Sequence, residues 1–537
     1  MRYLLLIIIV FVMLSCQRDY ENNGLRIFRY NEAAGITSLD PAFSRDLANL
    51  WACNQIFDGL VKLDDKLEVK PSVAKSWEIT EDGTTYTFFL RDDVYFHPHE
   101  AFAGGKGRRV SAYDFEYSYY RILDAGLASP GSWVFNNVAD SGFKAMNDST
   151  FRIKLKHAFM PFLGLLSMQY CNVLPKEVIE FHGKDFRKNP IGCGPFYLKY
   201  WKEGVKLVLH KNPEYFERDE AGERLPYLDA VAITFLIDKQ SAFLQFIQGK
   251  IDFLSGIDAS YKDELLTPDG QLNPAYEDQI YLNREPYLNT EYLGVMVDTI
   301  DGSGKKPLTD KLIRQAISYG FDRNKMMRYL RNSIGIAGNG GIIPAGMPSF
   351  DTTYSYGYSY DPQRSAELLE LAGYPGGTGL PSITLTTSPE YLDLCKYIQH
   401  ELMLLGFDIS ISVSPPAAIK EMKAQAKIPF FRASWIADYP DAENYLSLFY
   451  SRNFCPAGPN YTHYADPVYD QLYEASLAIL DDSARYQAYL MMDEMIMDEA
   501  AVIILFYDEV LRFVRKDVSG LGSNPVNLLD LTNVIKN

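Results

Sequence analysis

Charged and aromatic residues alternate near the carboxyl end of the chain, in the segment Arg432-Ala-Ser-Trp-Ile-Ala-Asp-Tyr-Pro-Asp441. An apolar run, Ile428-Pro-Phe-Phe431, precedes it, so the pattern predicts a strand that runs into a turn. Because alternate side chains on a strand share a face, Arg432 and Asp438 are expected on one side and Trp435 on the other. A carboxylate between aromatic rings can receive an ammonium group, and a guanidinium can receive a carboxylate. A free peptide carries both of these groups.

The spacing leaves two interpretations open. Six extended steps separate Arg432 from Asp438, about 20 Å, which is longer than a tripeptide, so both side chains would have to lean inward to hold one short ligand. The simpler interpretation needs no ligand: Asp438 and Asp441 flank Pro440 as turn formers, and Asp441 caps a helix that begins near Ala442.

Residues 1–16 have the pattern of an export signal. A positive residue, Arg2, precedes an uncharged apolar run from Leu4 to Leu14, shorter than the roughly 20 residues of a membrane-spanning helix. The sequence Met13-Leu-Ser-Cys16 resembles the bacterial lipobox, in which the cysteine is diacylated and becomes the new N-terminus. We therefore expect a lipoprotein anchored through Cys16. An ordinary secretory signal is the alternative, and the membrane leaflet stays open.

Composition restricts the class of protein. The chain of 537 residues is 47% hydrophobic and 23% charged, which is typical of a soluble globular protein of about two to four domains. The net charge of −17 argues against nucleic acid or anionic lipid as the main partner. Aromatic residues make up 14% of the chain, as in many peptide- and sugar-binding proteins, although tyrosine-rich cores are also common.

Catalytic and metal-binding motifs are not evident in the sequence. His97-Pro-His99 is the one close histidine pair and has no cysteine or acidic partner nearby, and no Gly-x-Ser-x-Gly elbow occurs. Gly302-Ser-Gly-Lys-Lys306 lacks the spacing of a P-loop. The five cysteines beyond Cys16 match no metal spacing, and one disulfide is possible without a choice of pair. They are Cys53, Cys171, Cys193, Cys395 and Cys455.

Hydrophobic periodicity predicts a mixture of strands and helices. Alternating patterns over 60–90 indicate a small antiparallel sheet, and Ser111 with Asp114 begins a helix. The run 383–413 reads as strand, helix and strand, a βαβ unit. A helix over 484–499 leads into a strand over 502–507. The chain is therefore predicted to be an α/β protein.

Several motifs, in their order along the chain, resemble the extracytoplasmic solute-binding proteins of peptide and nickel ABC importers. Together with the opening segment they extend over nearly the whole mature chain. They are Ser38-Leu-Asp-Pro41, Phe57-Asp-Gly-Leu-Val61, Lys70-Pro-Ser-Val-Ala-Lys-Ser-Trp77, Val110-Ser-Ala-Tyr-Asp-Phe115, Asn189-Pro-Ile-Gly-Cys-Gly-Pro-Phe196, Lys211-Asn-Pro-Glu-Tyr-Phe216, Gly249-Lys-Ile-Asp252, Arg314-Gln-Ala-Ile-Ser-Tyr-Gly-Phe-Asp-Arg323, Tyr360-Asp-Pro362 and Leu371-Ala-Gly-Tyr374.

The resemblance implies an α/β, two-lobed periplasmic-binding-protein fold (type II, cluster C-like) with an extra subdomain on the first lobe. Two chain crossings, near 284–289 and near 507–510, would act as hinges, and closure would bury the ligand between the lobes. The implied boundaries are 25–57, 191–283 and 508–537 for the first lobe, 58–190 for the subdomain, and 284–507 for the second lobe.

The resemblance also implies roles for residues of the opening segment. In the oligopeptide-binding branch, which carries Arg-Ala-Gly-Trp-Cys-Ala-Asp-Tyr here, an extended ligand pairs with strand edges. By that match Asp438 would bind the peptide α-ammonium and Arg432 the carboxylate of short ligands. Trp435 and Tyr439 would wall the site, and Tyr507 would contact the ligand backbone.

The function expected from these observations is that of a monomeric, lipid-anchored receptor in the cell envelope, on the periplasmic side or exposed at the surface. It would capture short peptides and deliver them to a permease driven by two ATPase subunits, without cofactor or catalysis. Three alternatives remain: the same fold binding nickel or a metallophore, a surface glycan receptor, and a secreted hydrolase.

Overall fold

The computed structural model describes residues 24–258, 260–298, 307–351, 353 and 356–537. The predicted signal segment and the predicted lipidation site, Cys16, lie outside the described residues. Within these ranges, no helix combines the length and the apolar character needed to cross a membrane.

Strands and helices alternate along the chain. The strands are β1 (Ile27–Asn31), β2 (Val61–Leu63), β3 (Val69–Pro71), β4 (Ala74–Ile79), β5 (Thr85–Leu90), β6 (Val138–Asn147), β7 (Thr150–Leu155), β8 (Phe196–Lys202), β9 (Lys206–Lys211), β10 (Ala230–Thr234), β11 (Phe253–Ser255), β12 (Ile280–Val295), β13 (Ile336–Ala337), β14 (Ile383–Thr387), β15 (Ile409–Val413), β16 (Phe430–Ile436), β17 (Val502–Arg515), β18 (Val518–Ser519) and β19 (Ile535–Lys536). The α-helices are Leu47–Ile56, Ala112–Leu123, Phe162–Leu166, Lys176–His182, Lys239–Ile247, Lys262–Leu265, Lys311–Tyr319, Arg323–Arg331, Pro362–Leu371, Leu392–Met403, Pro416–Ala424, Glu443–Leu446, Pro467–Ser476 and Asp482–Glu499.

One large sheet runs through the molecule in the order β15-β14-β16-β12-β17-β11-β1-β10-β9-β8, and β13 pairs with β17. The long antiparallel strands β12 and β17 join its two halves. Sequence patterning predicted only the last part of β12 and the first part of β17, because charged residues interrupt the other parts. Those charges pair across the strands, for example Arg284 with Glu509 at 2.5 Å.

The pairing of β12 with β17 is irregular at one place. Between Pro286 and Thr290, three residues of β12 lie opposite one residue of β17. An irregularity of this kind bends a sheet locally. Both predicted crossings, near 284–289 and 507–510, fall here; that they act as hinges stays a prediction, as do the domain boundaries.

Local predictions from the sequence are confirmed in several places. Strands β4, β5, β7 and β6 form an antiparallel sheet, and β14 and β15 pair in parallel across the helix Leu392–Met403. The helix Ala112–Leu123 begins with a capping box between Ser111 and Asp114. The five cysteines of the described residues are free and buried.

Separate apolar cores lie at the two ends of the large sheet. One joins β1 and β8–β10 to the four-stranded sheet. Two others cover opposite faces of β12, β16 and β17: Phe431 and Tyr292 belong to one, and Phe430 and Leu293 to the other. Neighbouring residues of β16 therefore do point to opposite faces.

Candidate ligand-binding cleft

The segment that contains Arg432 and Asp438 is a strand followed by a turn, as predicted. Strand β16 ends at Ile436, two residues before Asp438. One edge of β16 pairs antiparallel with β12. Its other edge faces β14, and within the described residues the two strands pair only where Phe431 lies opposite Thr386. Beyond this point, that edge of β16 is free.

The free edge presents main-chain groups that have no partner. The N–H of Ala437 donates to the carbonyl of Leu288 at 2.9 Å, on the β12 side. Because main-chain groups alternate in direction along a strand, those of Trp435 also face β12, whereas those of Ser434 and Ile436 face away. Over the part of the chain that the structure describes, these outward N–H and C=O groups form no hydrogen bond. Another strand could pair with them.

A cavity of 470 Å³ opens where the free edge ends. Its walls come from distant parts of the chain: the start of helix Leu47–Ile56, Trp133, the segment 167–170 and the turn 436–440. The charged residues that line it are Arg45, Asp46 and Asp438. We call it the first cavity.

Asp438 faces the first cavity without a cationic partner. No lysine, arginine or histidine of the described residues forms an ion pair with its carboxylate. The surrounding walls desolvate the carboxyl group and raise its pKa, and a hydrogen bond with the Asn444 side chain partly opposes this shift. The side chain oxygen of Asn444 also accepts from the N–H of Asp438 at 3.3 Å and from the indole of Trp435 at 2.8 Å. An enclosed carboxylate of this kind favours a cationic ligand group.

Aromatic rings wall the first cavity. The Tyr439 ring lies 6.4 Å from that of Trp133, which comes from the other side of the cavity. Its hydroxyl donates to the carboxylate of Glu443, which also accepts from Tyr473. Burial raises the pKa of Glu443 to about 7, and the two phenol donors partly counteract that rise. Tyr439 is thus held in place by a buried acid.

A second cavity, of 270 Å³, lies beside the earlier residues of β16. Arg432, Trp435 and Tyr461 line it, together with Lys423 and Lys420 of helix Pro416–Ala424. Lys423 forms no ion pair with any described carboxylate, and its ammonium lies 5.0 Å from the centre of the Tyr461 ring. Burial lowers the pKa of Lys423 to about 8, and the charges of Arg432 and Lys420 add to the shift. The second cavity is therefore basic.

Arg432 is already neutralised. Its guanidinium bonds to the carboxylate of Glu291 and stacks on the ring of Tyr391. The two charged side chains are 11% and 3% exposed. Burial raises the pKa of Glu291, and the charge of Arg432 opposes that rise. Because Arg432 is already paired with Glu291, it is less available than Lys423 to receive a ligand carboxylate. Its predicted contact with the ligand is not tested by the structure and stays a prediction.

The predicted site residues therefore divide into three groups. Asp438 and Tyr439 line the first cavity, and Arg432 and Trp435 line the second. Tyr507 lines neither of the two: it is 3% exposed, and its hydroxyl donates to the carbonyl of Gly341 at 2.7 Å. Its contact with a ligand remains untested.

Sequence reasoning missed the residues that other elements bring to the cleft. Lys423 lies on an amphipathic helix, where a lysine is ordinary, and Trp133 is about 300 residues away in sequence from Asp438. Asn444, which holds both Trp435 and Asp438, gave no sequence signal either. Clusters of three or more acidic, histidine or cysteine side chains able to hold a metal are absent from the described ranges.

Comparisons with known proteins agree with this architecture. The chain is 24% identical over 545 residues to the dipeptide-binding protein DppE of Bacillus subtilis (strain 168), covering 96% of this chain and 93% of that protein. In structure it resembles the periplasmic binding protein DppA of Helicobacter pylori, solved in complex with the peptide STSA, with a TM-score of 0.72, 24% identity and coverage of 95% and 98%. It also resembles HbpA2 of Haemophilus parasuis, with a TM-score of 0.83, 20% identity and coverage of 95% and 100%.

These similarities confirm the predicted two-lobed α/β fold with its additional subdomain. A family model described as "Bacterial extracellular solute-binding proteins, family 5 Middle" matches residues 68–454. Members of this family bind solutes, which confirms the prediction of a binding protein rather than an enzyme. The chain belongs to family 5 of the bacterial extracellular solute-binding proteins.

Proposed function

We propose that this chain is the solute-binding component of an ABC importer and that it captures short peptides along the free edge of β16. The observation that carries the proposal is an unpaired strand edge, at Ser434 and Ile436, between two charges of opposite sign that lack ion-pair partners. A peptide main chain would complete the edge, its ammonium reaching Asp438 and its carboxylate reaching Lys423. The printed names of the relatives, a dipeptide-binding protein and a protein bound to the peptide STSA, support this choice of ligand.

In this proposal the aromatic residues wall the ligand and Arg432 acts indirectly. Tyr439 closes the first cavity and Trp435 the second. Arg432, whose charge Glu291 neutralises, lines the second cavity without binding the ligand, while the unpaired ammonium of Lys423 receives the carboxylate. The main-chain bonds do not depend on ligand side chains, so they supply affinity for many peptide sequences.

Contacts across the cleft supply a means of coupling binding to closure. The N–H of Met160 donates to the carbonyl of Leu477 at 3.0 Å, and Trp133 faces Tyr439. A ligand that touches both sides would stabilise an arrangement in which these contacts form over one in which they are broken. The closed monomer would then be the form that the permease and its ATPase subunits receive.

The proposed location is the cell envelope, on the periplasmic side or exposed at the surface, with a lipid on Cys16 as the anchor. The lipobox-like sequence supports this anchor, and the family consists of extracellular proteins. Labelling of cells with a palmitate analogue should mark the wild type and leave the Cys16→Ser variant unmarked.

Native mass spectrometry of the protein purified from cells grown in rich medium tests the proposed ligand. We expect a series of bound masses that, after release, fragment as peptides with free termini. A uniform mass that corresponds to a metal chelate or a saccharide would contradict the proposal.

A further inference from the structure

Three large apolar side chains that solvent can reach converge on the first cavity. Leu47 is 37% exposed, Trp133 36% and Ile436 48%, and all three line this cavity. They come from the first turn of helix Leu47–Ile56, from the segment before β6 and from the end of β16. Single exposed apolar residues are common on protein surfaces, but a group of them around one concave site marks a place where an apolar partner binds.

The serine and glutamine side chains that line the first cavity are already bonded within the protein. The hydroxyl of Ser44 donates to Sγ of Cys53 at 3.1 Å, and that of Ser167 donates to a main-chain carbonyl three residues earlier at 2.7 Å. The amide of Gln169 donates to the side-chain oxygen of Asn54 at 2.9 Å. A polar ligand side chain would therefore lose water in this cavity without gaining hydrogen bonds from these groups in return.

The position of Asp438 decides which residue of a peptide lies beside this cavity. Its carboxylate is the proposed receptor for the ammonium nitrogen, which is about 1.5 Å from the Cα atom of the first ligand residue. The second Cα atom is about 3.8 Å farther along the chain, on the way to Arg432. The lining of the cavity extends in the other direction, past Asp438 to Pro440. The side chain of the first residue is therefore the one that can enter it.

We infer that the first cavity receives the side chain of the first peptide residue and selects large aliphatic or aromatic side chains. The inference rests on the proposed function, because it uses the ammonium at Asp438 to place the peptide. A volume of 470 Å³ lies in the usual range of small-ligand sites, about 300–1,000 Å³, so the cavity admits the largest side chains. Contact with Leu47, Trp133 and Ile436 removes apolar surface of both partners from water, which favours binding.

Calorimetry with peptides that differ in their first residue tests the subsite. Tetra-alanine is the reference, and its first residue is replaced by phenylalanine, by leucine or by asparagine. We expect the phenylalanine and leucine peptides to bind at least about tenfold more tightly than tetra-alanine, the scale for a buried apolar side chain. Asparagine has nearly the size of leucine but is polar, so it should gain less than about twofold.

The same substitutions at the second and third residues of the peptide are the positional control. The gain in affinity should be confined to the first residue. An equal gain at all three positions, or no gain at the first, would overturn the inference while tetra-alanine still binds. Failure of every peptide in the series to bind would instead contradict the proposed function.

Variants of the cavity wall locate the preference. Leu47→Ser and Trp133→Ala should each lower the ratio of affinities for the phenylalanine peptide and tetra-alanine by at least about threefold. Leu371→Ser and Tyr329→Ala, at exposed positions that do not line the cavity, are the matched controls and should keep the wild-type ratio. A ratio that stays unchanged in both wall variants would overturn the inference.

The heat capacity of binding gives an independent readout. Burial of apolar surface makes the heat-capacity change of binding more negative. Titrations at three temperatures should therefore give a more negative value for the phenylalanine peptide than for the asparagine peptide. Equal values would show that the first side chain stays in water, and this result would contradict the inference.

Discussion

The two cavities along β16 differ in how the fold creates their charge. In the first, a turn places Asp438 among aromatic rings with an amide, Asn444, as its polar neighbour. In the second, a helix brings Lys423 beside an arginine whose charge Glu291 already neutralises. Each cavity therefore presents a charge without an ion-pair partner, and the signs are opposite. This difference gives an extended ligand a direction along the strand.

Replacement of Arg432 tests whether this residue stabilises the fold or binds the ligand carboxylate. In Arg432→Gln the buried carboxylate of Glu291 loses its partner, so we expect the free energy of unfolding to fall by about 3–5 kcal/mol. The ratio of affinities for free and C-amidated peptides should stay constant. Urea denaturation and calorimetry measure the two quantities.

The control for this variant is Arg432→Gln combined with Glu291→Gln, which removes both charges and should recover much of the stability. The opposite result would be an Arg432→Gln protein that keeps its stability but no longer distinguishes free from C-amidated peptides. In that case Arg432, and not Lys423, binds the ligand carboxylate.

Removal of the Lys423 charge should weaken peptides with a free carboxyl end. In Lys423→Gln we expect a loss of about 1.5–3 kcal/mol for such peptides, the range for a hydrogen bond to a charged group, and little change for amidated ones. The pKa near 8 also sets a pH dependence: the ammonium is present below pH 8 and lost above it. Wild-type affinity for free peptides should therefore fall as the pH rises from 7 to 9.

Lys427→Gln, at an exposed position near the same helix, is the matched control. Equal sensitivity of the wild type and Lys423→Gln to amidation would point to another cation, such as Arg45 in the first cavity.

How much the sequence could predict differs between these two cavities. The strand, its turn and the position of Asp438 follow from local patterning, as do the capping box at Ser111 and the βαβ unit. The second cavity does not, because alternation along a strand gives the face of Arg432 but not its partner, Glu291, on another strand. Lys423 and the opposite wall at Trp133 meet β16 only through tertiary packing. The length of β12 and β17 was missed because their charged residues pair with each other.

The smallest expected effect concerns the acid behind the wall of the first cavity. The folded-state pKa of Glu443, about 7, lies above its value in the unfolded chain, so its contribution to stability is greatest at low pH and is lost as the pH rises through 7. In denaturation experiments at pH 5, 7 and 8.5, the free energy of unfolding of Glu443→Gln should fall less with rising pH than that of the wild type. Glu370 is exposed, so the free energy of unfolding of Glu370→Gln should fall with pH as that of the wild type does. A Glu443→Gln curve parallel to the wild-type curve would show that Glu443 does not have a raised pKa in the folded state.

The role of Asp438 is tested most directly by a cycle of two proteins and two peptides in calorimetry. Wild type and Asp438→Asn are each titrated with tetra-alanine and with its N-acetylated form. Asp438→Asn should lose about 1.5–3 kcal/mol for the free peptide, N-acetylation should weaken the wild type by a similar amount, and the combination should cost little more. If the wild type binds the acetylated peptide as tightly as the free one, Asp438 does not receive the ammonium group and the proposed direction of the ligand is wrong.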